Sequence, residues 1–387
     1  MSMSDAETTS TRWNNVAYAL SIGLLTASVN PNLSLYLYER FRVDPTTLSW
    51  LLGLNSIAGL VFTLIIPAIS DRVSDLRRML STVNCVAFFG LASIPFVSDP
   101  HTLGLLFVLL LGPYSALSSL FFAYIRRTHS NPSLVVKLRS LFSVAWVVGP
   151  AAATTAMTSF GLSSIFWIAA TLCLANSMFI WWMPSSNPPF PRAKRDNGQN
   201  GKITVILMFA GFVLLLGTNY ITGNVVSLLL RDEFHSTLFQ IGLVASLAAA
   251  FEIPLFFLLP IVAERRGRAF VFKIGCLAGL LYCIGLSASQ NYLQVLLLQA
   301  LNAVFVASVI GMGLAWFQEI HPAKIGFMTG LFSNASRLSA LVAAPVIGTS
   351  TLYFASYRGP ILVAAIMVLA GGLILLPIAA DRKQHAR

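Results

Sequence analysis

Residues 67–74 read PAISDRVS, and 193 residues further on, at 260–267, the chain reads PIVAERRG. Pro67 matches Pro260, Asp71 matches Glu264, Arg72 matches Arg265, and Ser74 stands where Gly267 does. Each copy follows one long apolar run and precedes another. A proline, three residues, an acid and an arginine, recurring at a single spacing, argue for a six-helix unit duplicated in parallel.

The flanking runs say what that unit is made of. Apolar segments cover 15–38, 46–69, 79–97, 103–125, 134–157 and 163–183, then 203–230, 238–262, 269–288, 292–316, 326–350 and 360–379. Each is long enough, at about 1.5 Å per residue, to cross a hydrocarbon core about 30 Å thick. A β-barrel would need shorter, alternating segments. Of the 387 residues 56% are hydrophobic and 10% charged, with mean hydropathy +0.77, more apolar surface than one soluble core can hide. The stretch SSNPPFPRAKRDNGQNGK, 185–202, is rich in Pro, Gly and charge and separates two sets of six. The expected fold is therefore an all-α membrane protein of twelve transmembrane helices in two six-helix repeats. The bundles are expected at 1–183 and 203–387, with a linker at 184–202.

Charge orients the chain. The net charge of +11 comes from lysines and arginines in the short gaps between runs, a membrane pattern rather than a nucleic-acid surface. With the N-terminus cytoplasmic, twenty of the 25 basic residues fall on the cytoplasmic side and only Arg40, Arg42, Arg231 and Arg358 on the other. Both termini are expected in the cytoplasm, and the protein in the cytoplasmic (inner) membrane. The polar start, MSMSDAETTSTRWNN, has no signal-peptide pattern, so the first run is read as a retained helix.

The chemistry the sequence lacks narrows the class. The four cysteines sit inside apolar runs, and His101, His129, His235, His321 and His385 form no ligand-spaced set, so no metal site is expected. There is no phosphate-binding loop, no soluble catalytic constellation and no sign of a cofactor. Secondary transport remains, with a monomer expected in the lipid bilayer and a receptor or sensor as a more distant reading.

Inside the spans two charges stand out, Glu252 in AAAFEIP and Arg337 in LFSNASRL. An apolar setting disfavours the carboxylate anion and a nearby Arg337 would favour it, so Glu252 reads as a protonation switch coupled to Arg337. The alternative is a structural ion pair, or each charge satisfied by neighbouring hydroxyls and amides. Pro254, two residues on, removes a backbone hydrogen bond beside the carboxylate. Asn30, Asn32, Asn55, Asn219, Asn224, Asn302 and Asn334, with Tyr36, Tyr220 and Trp316, offer donors, acceptors and flat faces suited to a neutral polyhydroxylated ligand. Any single amide could instead join helix to helix. Asp71, Arg72, Glu264 and Arg265 of the repeated loop, Arg139, and Gly149 with Pro150 in WVVGP are candidate gating residues, the last two as a seam between the halves or as plain packing.

Twelve spans in two repeats, with the loop SDRVSDLRR after the second and its echo AERRGR after the eighth, resemble the major facilitator superfamily. PNLSLYLYE at 31–39, NSIAG at 55–59, SVAWVVGP at 143–150, AAAFEIP at 248–254, NAVFVASVIGMGLAWFQEIHP at 302–322 and LFSNASRL at 331–338 are similar to the sugar efflux transporters of that superfamily. The resemblance implies export of sugars or glycosides in exchange for protons, by rocking of residues 1–183 against 203–380. It also implies that helices one, four, seven and ten line the site, which brings in Asn30, Asn32, Tyr36, Asn219, Asn224 and Asn302. Drug or siderophore export through the same fold is the runner-up.

Overall fold

The structure, a computed structural model, describes residues 3–70, 72–128, 132–185, 202–320 and 325–381. Among these there is no strand. Fifteen α-helices follow in order: α1 (Met3–Val29), α2 (Leu33–Phe41), α3 (Pro45–Ser70), α4 (Leu76–Ser93), α5 (Pro100–Leu106), α6 (Leu117–Thr128), α7 (Pro132–Phe160), α8 (Ser164–Phe179), α9 (Lys202–Asp232), α10 (Leu238–Arg266), α11 (Arg268–Ala288), α12 (Tyr292–Phe305), α13 (Met312–Ile320), α14 (Ile325–Phe354) and α15 (Arg358–Asp381).

Short irregular turns join some of these into longer rods. A wide π-helical turn at Phe107–Leu111 and a 3-10 turn at Pro113–Ala116 connect α5 to α6, and a second π-helical stretch, Val306–Gly311, connects α12 to α13. Eleven segments among the described residues are long and apolar enough to cross a membrane, from Pro45–Ser70 to Arg358–Ile378, and each overlaps one of the runs expected from the sequence. The first expected run, 15–38, is not among the eleven. Its helix breaks at the 3-10 turn Asn30–Asn32, and the part of α1 before residue 15 is polar, so no single apolar helix of full length forms there.

Helix ends follow local chemistry. The Asp75 carboxylate accepts from the Arg77 amide to start α4, and Asn291 accepts from the Gln294 amide to start α12. Thr237 and Gln240 form a reciprocal capping box at the start of α10. Gly267 ends α10 at φ 86°, a left-handed conformation that a side chain would strain.

The chain forms two compact units, one of Met1–Arg42 with Leu54–Arg195, the other of Val43–Gly53 with Asp196–Arg387. In the first, α1 packs on α7 and α8, and α4 on α8 and α6. A Cβ at Gly23 would lie 2.8 Å from the Ala145 Cβ, and one at Gly149 2.7 Å from the Ala27 Cβ, so α1 and α7 meet through small residues spaced four apart on both helices. In the second unit α9 lies against α14 and α15, α11 against α15 and α12, and α10 against α12.

An aromatic cluster anchors one end of that second unit. The Phe212 ring meets Phe317 at 5.1 Å, Phe332 at 5.7 Å and Trp316 at 5.9 Å, and Phe272 meets Trp316 at 5.2 Å. The sequence division puts Val43–Gly53 with the first bundle, but the structure groups this start of α3 with the second unit. There the Ser49 hydroxyl donates to the Ala344 carbonyl at 2.6 Å, and the missing side chain of Gly348 admits Ser49.

Candidate functional site

Glu252 is the fifteenth residue of the 29-residue α10, about half-way along a span. It is half-buried and has neither a hydrogen bond nor an ion pair among the described residues. Pro254 lacks an amide hydrogen, which leaves the Ala250 carbonyl without its helical donor one turn back, yet α10 runs on as helix through Pro254 and Pro260. A carboxylate and an open carbonyl therefore stand within one turn of each other.

Arg337, the thirteenth residue of α14, is also half-buried. The expected link between it and Glu252 does not form. The ion pairs seen among the described residues include Arg42–Glu39, Arg77–Asp75 and Arg358–Glu233, but none joins Glu252 to Arg337. Packing explains the separation, because α10 lies against α12, α11 and α9, whereas α14 lies against α9, α15 and α13. Neither the structural ion pair nor a switch that loosens such a pair describes this arrangement.

The candidate amides separate into three groups. Asn32 is buried and donates to the Ser28 carbonyl at 2.9 Å, and Asn224 is buried and donates to the Tyr220 carbonyl at 2.9 Å. Both are turned back onto their own helix. Asn55, Asn219 and Asn334 are half-buried, Asn30 is exposed, and none of these four side chains makes a hydrogen bond among the described residues. A polar group inside a span that the protein leaves unsatisfied has to be met by water or cargo. Asn219 and Asn334 share the second unit with Glu252, on α9 and α14, two helices that pack together. Asn302 is a third case, donating at 3.1 Å to Gln299 while its own carbonyl oxygen receives nothing.

The aromatic expectations need correction. Tyr36 is fully buried in the first unit, edge-on to Phe166 at 4.5 Å and Phe41 at 6.2 Å, and its ring offers no open face to a ligand. Trp316 is packed between Phe212 and Phe272. Tyr220 on α9 is half-buried and keeps its place beside Asn219.

Of the gating candidates, Asp71 lies outside the described residues, and nothing is described of the Arg139 side chain on α7. Arg72, Glu264 and Arg265 are exposed at helix ends. Gly149 and Pro150 are buried inside the first unit, with Gly149 against Ala27, so the seam they form is internal to that unit. Small residues four apart on both α1 and α7 give the physical reason.

Sequence reasoning missed several polar ties. Arg77 pairs with Asp75 at 2.8 Å and donates to the Met183 carbonyl, and Arg127 donates to the Ser70 and Val73 carbonyls at 2.8 Å each. In the second unit Glu233 accepts from Arg358 at 2.7 Å and from Ser356 at 2.8 Å. The Asp-x-Arg spacing at 75–77 was a visible signal for the first of these. The others join residues distant in sequence and left none.

The described residues thus form a bundle of helices long and apolar enough to cross a membrane, with an acid midway along one of them that makes no hydrogen bond or ion pair among the described residues. The chain matches the Major Facilitator Superfamily over residues 16–206 and 207–387, and it belongs to that family. It is a multi-pass membrane protein and a secondary-active transporter of small molecules, and members of the family are transporters, not enzymes. It is similar to sugar efflux transporter A of Dickeya chrysanthemi, 25% identical with 92% of this chain and 93% of the other covered. It is also similar to sugar efflux transporter A of Escherichia coli, 27% identical over 91% and 92%. The crystal structure of the nucleoside transporter NupG shares the fold at TM-score 0.77, with 15% identity over 94% of this chain and 98% of that one.

Proposed function

We propose that the protein exports neutral hydroxylated solutes, sugars or glycosides, in exchange for protons by alternating access. It does so as a monomer of twelve helices in two six-helix repeats, in the cytoplasmic membrane with both termini inside. The observation that carries this reading is Glu252, a mid-span carboxylate with no partner among the described residues, in the same unit as the amides Asn219 and Asn334, which make no side-chain hydrogen bond among them either. The similarity to sugar efflux transporters supports the cargo class.

The coupling follows from desolvation. Enclosing an ionised carboxylate without a partner costs several kcal/mol (order of magnitude), so Glu252 cannot be sealed from water as a bare anion. Two events lift that cost. A proton neutralises the group, or cargo hydroxyls donate to it. Because both act on the same oxygens, they compete, and a site that closes with one or the other but not both exchanges sugar for protons. Arg337 is not paired with Glu252 in this reading, and its charge biases the carboxylate toward the anion only from a distance.

The test is a substrate screen in proteoliposomes with an imposed pH gradient and a pH-sensitive dye. The reading expects that saccharides such as glucose or lactose move against their gradient and dissipate the pH difference. If drugs or siderophores drive proton movement and no saccharide competes with them, the cargo assignment is wrong. An anionic siderophore would turn to Arg337 for its charge, so loss of siderophore transport in an Arg337→Gln variant would mark that outcome.

A further inference from the structure

The tenth expected span contains a chain of amides whose direction is fixed. Gln299 is buried on α12, and its Nε2 donates at 3.1 Å to the Val295 carbonyl one turn back. That bond settles which way the Gln299 amide faces, since turning it over would set its oxygen against the Val295 oxygen. Its Oε1 is thereby presented to Asn302, whose Nδ2 donates to it at 3.1 Å. The Asn302 amide is fixed in turn, with the nitrogen bound and the Oδ1 left over. This oxygen is shielded from solvent and accepts no hydrogen bond.

Asn302 is the eleventh residue of the span Tyr292–Phe317, roughly 15 Å along it at the rise of an α-helix, close to mid-membrane. Four residues later the helix widens into the π-helical stretch Val306–Gly311, a looser winding often found beside functional groups. We infer that Asn302 is a specificity determinant for the cargo proposed above and that Gln299 is its positioning residue. The relay from Val295 through Gln299 leaves the Asn302 carbonyl oxygen as a buried, unfilled acceptor, which reads one cargo hydroxyl as a donor when the site opens to cargo. Glu252 is an acceptor too when ionised. Two acceptors at mid-span select donors and disfavour carboxylates and phosphates, whose oxygens can only accept.

This inference rests on the saccharide reading, and the experiment keeps the two apart. Binding of D-glucose and its monodeoxy and monodeoxyfluoro derivatives is measured on the purified protein. A fluorine can accept weakly but cannot donate, so a hydroxyl read as a donor is replaced by neither hydrogen nor fluorine. At one ring position both derivatives should bind about tenfold more weakly than glucose, the size of one good hydrogen bond. In Asn302→Leu that penalty should vanish, with glucose falling to the affinity of the deoxy sugar. Asn302→Asp, which keeps an acceptor, should retain the penalty.

Gln299→Leu frees the Asn302 amide to turn its nitrogen outward, so the deoxyfluoro derivative should recover relative to the deoxy one. A structural role for Gln299 alone would not produce that split. An unchanged penalty in Asn302→Leu overturns the inference while leaving sugar transport standing. Failure of glucose to bind any of the proteins counts against the saccharide reading and this assignment together.

Discussion

In the first unit a set of polar side chains ties helix to helix; in the second, a mid-span carboxylate makes no hydrogen bond or ion pair among the described residues. Asn84 donates to the Tyr18 hydroxyl at 2.7 Å and to the Leu80 carbonyl at 2.8 Å, and the hydroxyls of Ser81 and Ser177 lie 2.9 Å apart, with the Cys85 thiol as close to Ser177. These ties lock α4 to α1 and α8. Glu252, Asn219 and Asn334 have no such bonds among the described residues. The position 193 residues before Glu252 is Gly59, whose carbonyl accepts from Thr63 at 2.6 Å and Ser115 at 3.3 Å. Where the first unit has a backbone joint between its helices, the second has an ionisable group. Amides without hydrogen bonds among the described residues occur in both units, Asn30 and Asn55 in the first and Asn219 and Asn334 in the second, so the contrast rests on the carboxylate.

The largest change in stability that would sharpen the contrast lies in the aromatic anchor of the second unit. Phe212→Ala removes the ring shared by Phe317, Phe332 and Trp316 and is expected to cost about 3–5 kcal/mol, read from denaturant unfolding in detergent. In the first unit Gly149→Leu drives a side chain into Ala27 across the α1–α7 seam and should cost about 1–3 kcal/mol in the same measurement. If Gly149→Leu left stability unchanged and only slowed transport, Gly149 would be a gate and not a packing residue.

Amides test the comparison most sharply. Asn84→Leu deprives the buried Tyr18 hydroxyl of its donor and should destabilise by about 1–3 kcal/mol. Asn219→Leu should melt at the wild-type temperature but bind cargo about tenfold more weakly. The reverse pattern would erase the distinction between the units. The smallest effect concerns Asp44, which accepts from the amides of Thr46 and Thr47 and from the Thr47 hydroxyl at the start of α3. The Thr47 hydroxyl bond, the largest influence, holds its carboxyl below the usual range. Its stabilisation is therefore complete above the ordinary carboxylate pKa and fades as pH falls through the lower folded value. Asp44→Ala should cost about 1 kcal/mol at neutral pH, and the deficit should shrink in acid.

Much of the fold was legible because membrane crossing is written in composition. Runs of apolar residues set the spans, and Pro, Gly and charge set the breaks between them. The exception was the first run, where NPN at 30–32 turns the chain through a 3-10 step that hydropathy does not register. Glu252 stood out for the same reason as the spans, a charge where none is cheap. What the sequence could not carry was rotation about each helix axis. Helix packing keeps Arg337 from pairing with Glu252, and rotation turns Asn32 and Asn224 onto the carbonyls one turn back, leaves Asn219 and Asn334 open and packs Tyr36 against Phe166. The four-residue spacing of Gly23 with Ala27 and of Ala145 with Gly149 was available as a signal for the internal seam, but only once both helices were considered together.

The most direct test of a partnerless carboxylate shared by proton and sugar is the pH dependence of sugar binding to wild type and to Glu252→Gln. The account predicts that wild-type affinity weakens as pH falls, because protons displace cargo from the same oxygens. It predicts that Glu252→Gln binds with an affinity independent of pH, still exchanges sugar for sugar, and cannot accumulate it against a gradient when a proton gradient is imposed. A Glu252→Gln protein that keeps the wild-type pH dependence, or still drives sugar uphill, would contradict it.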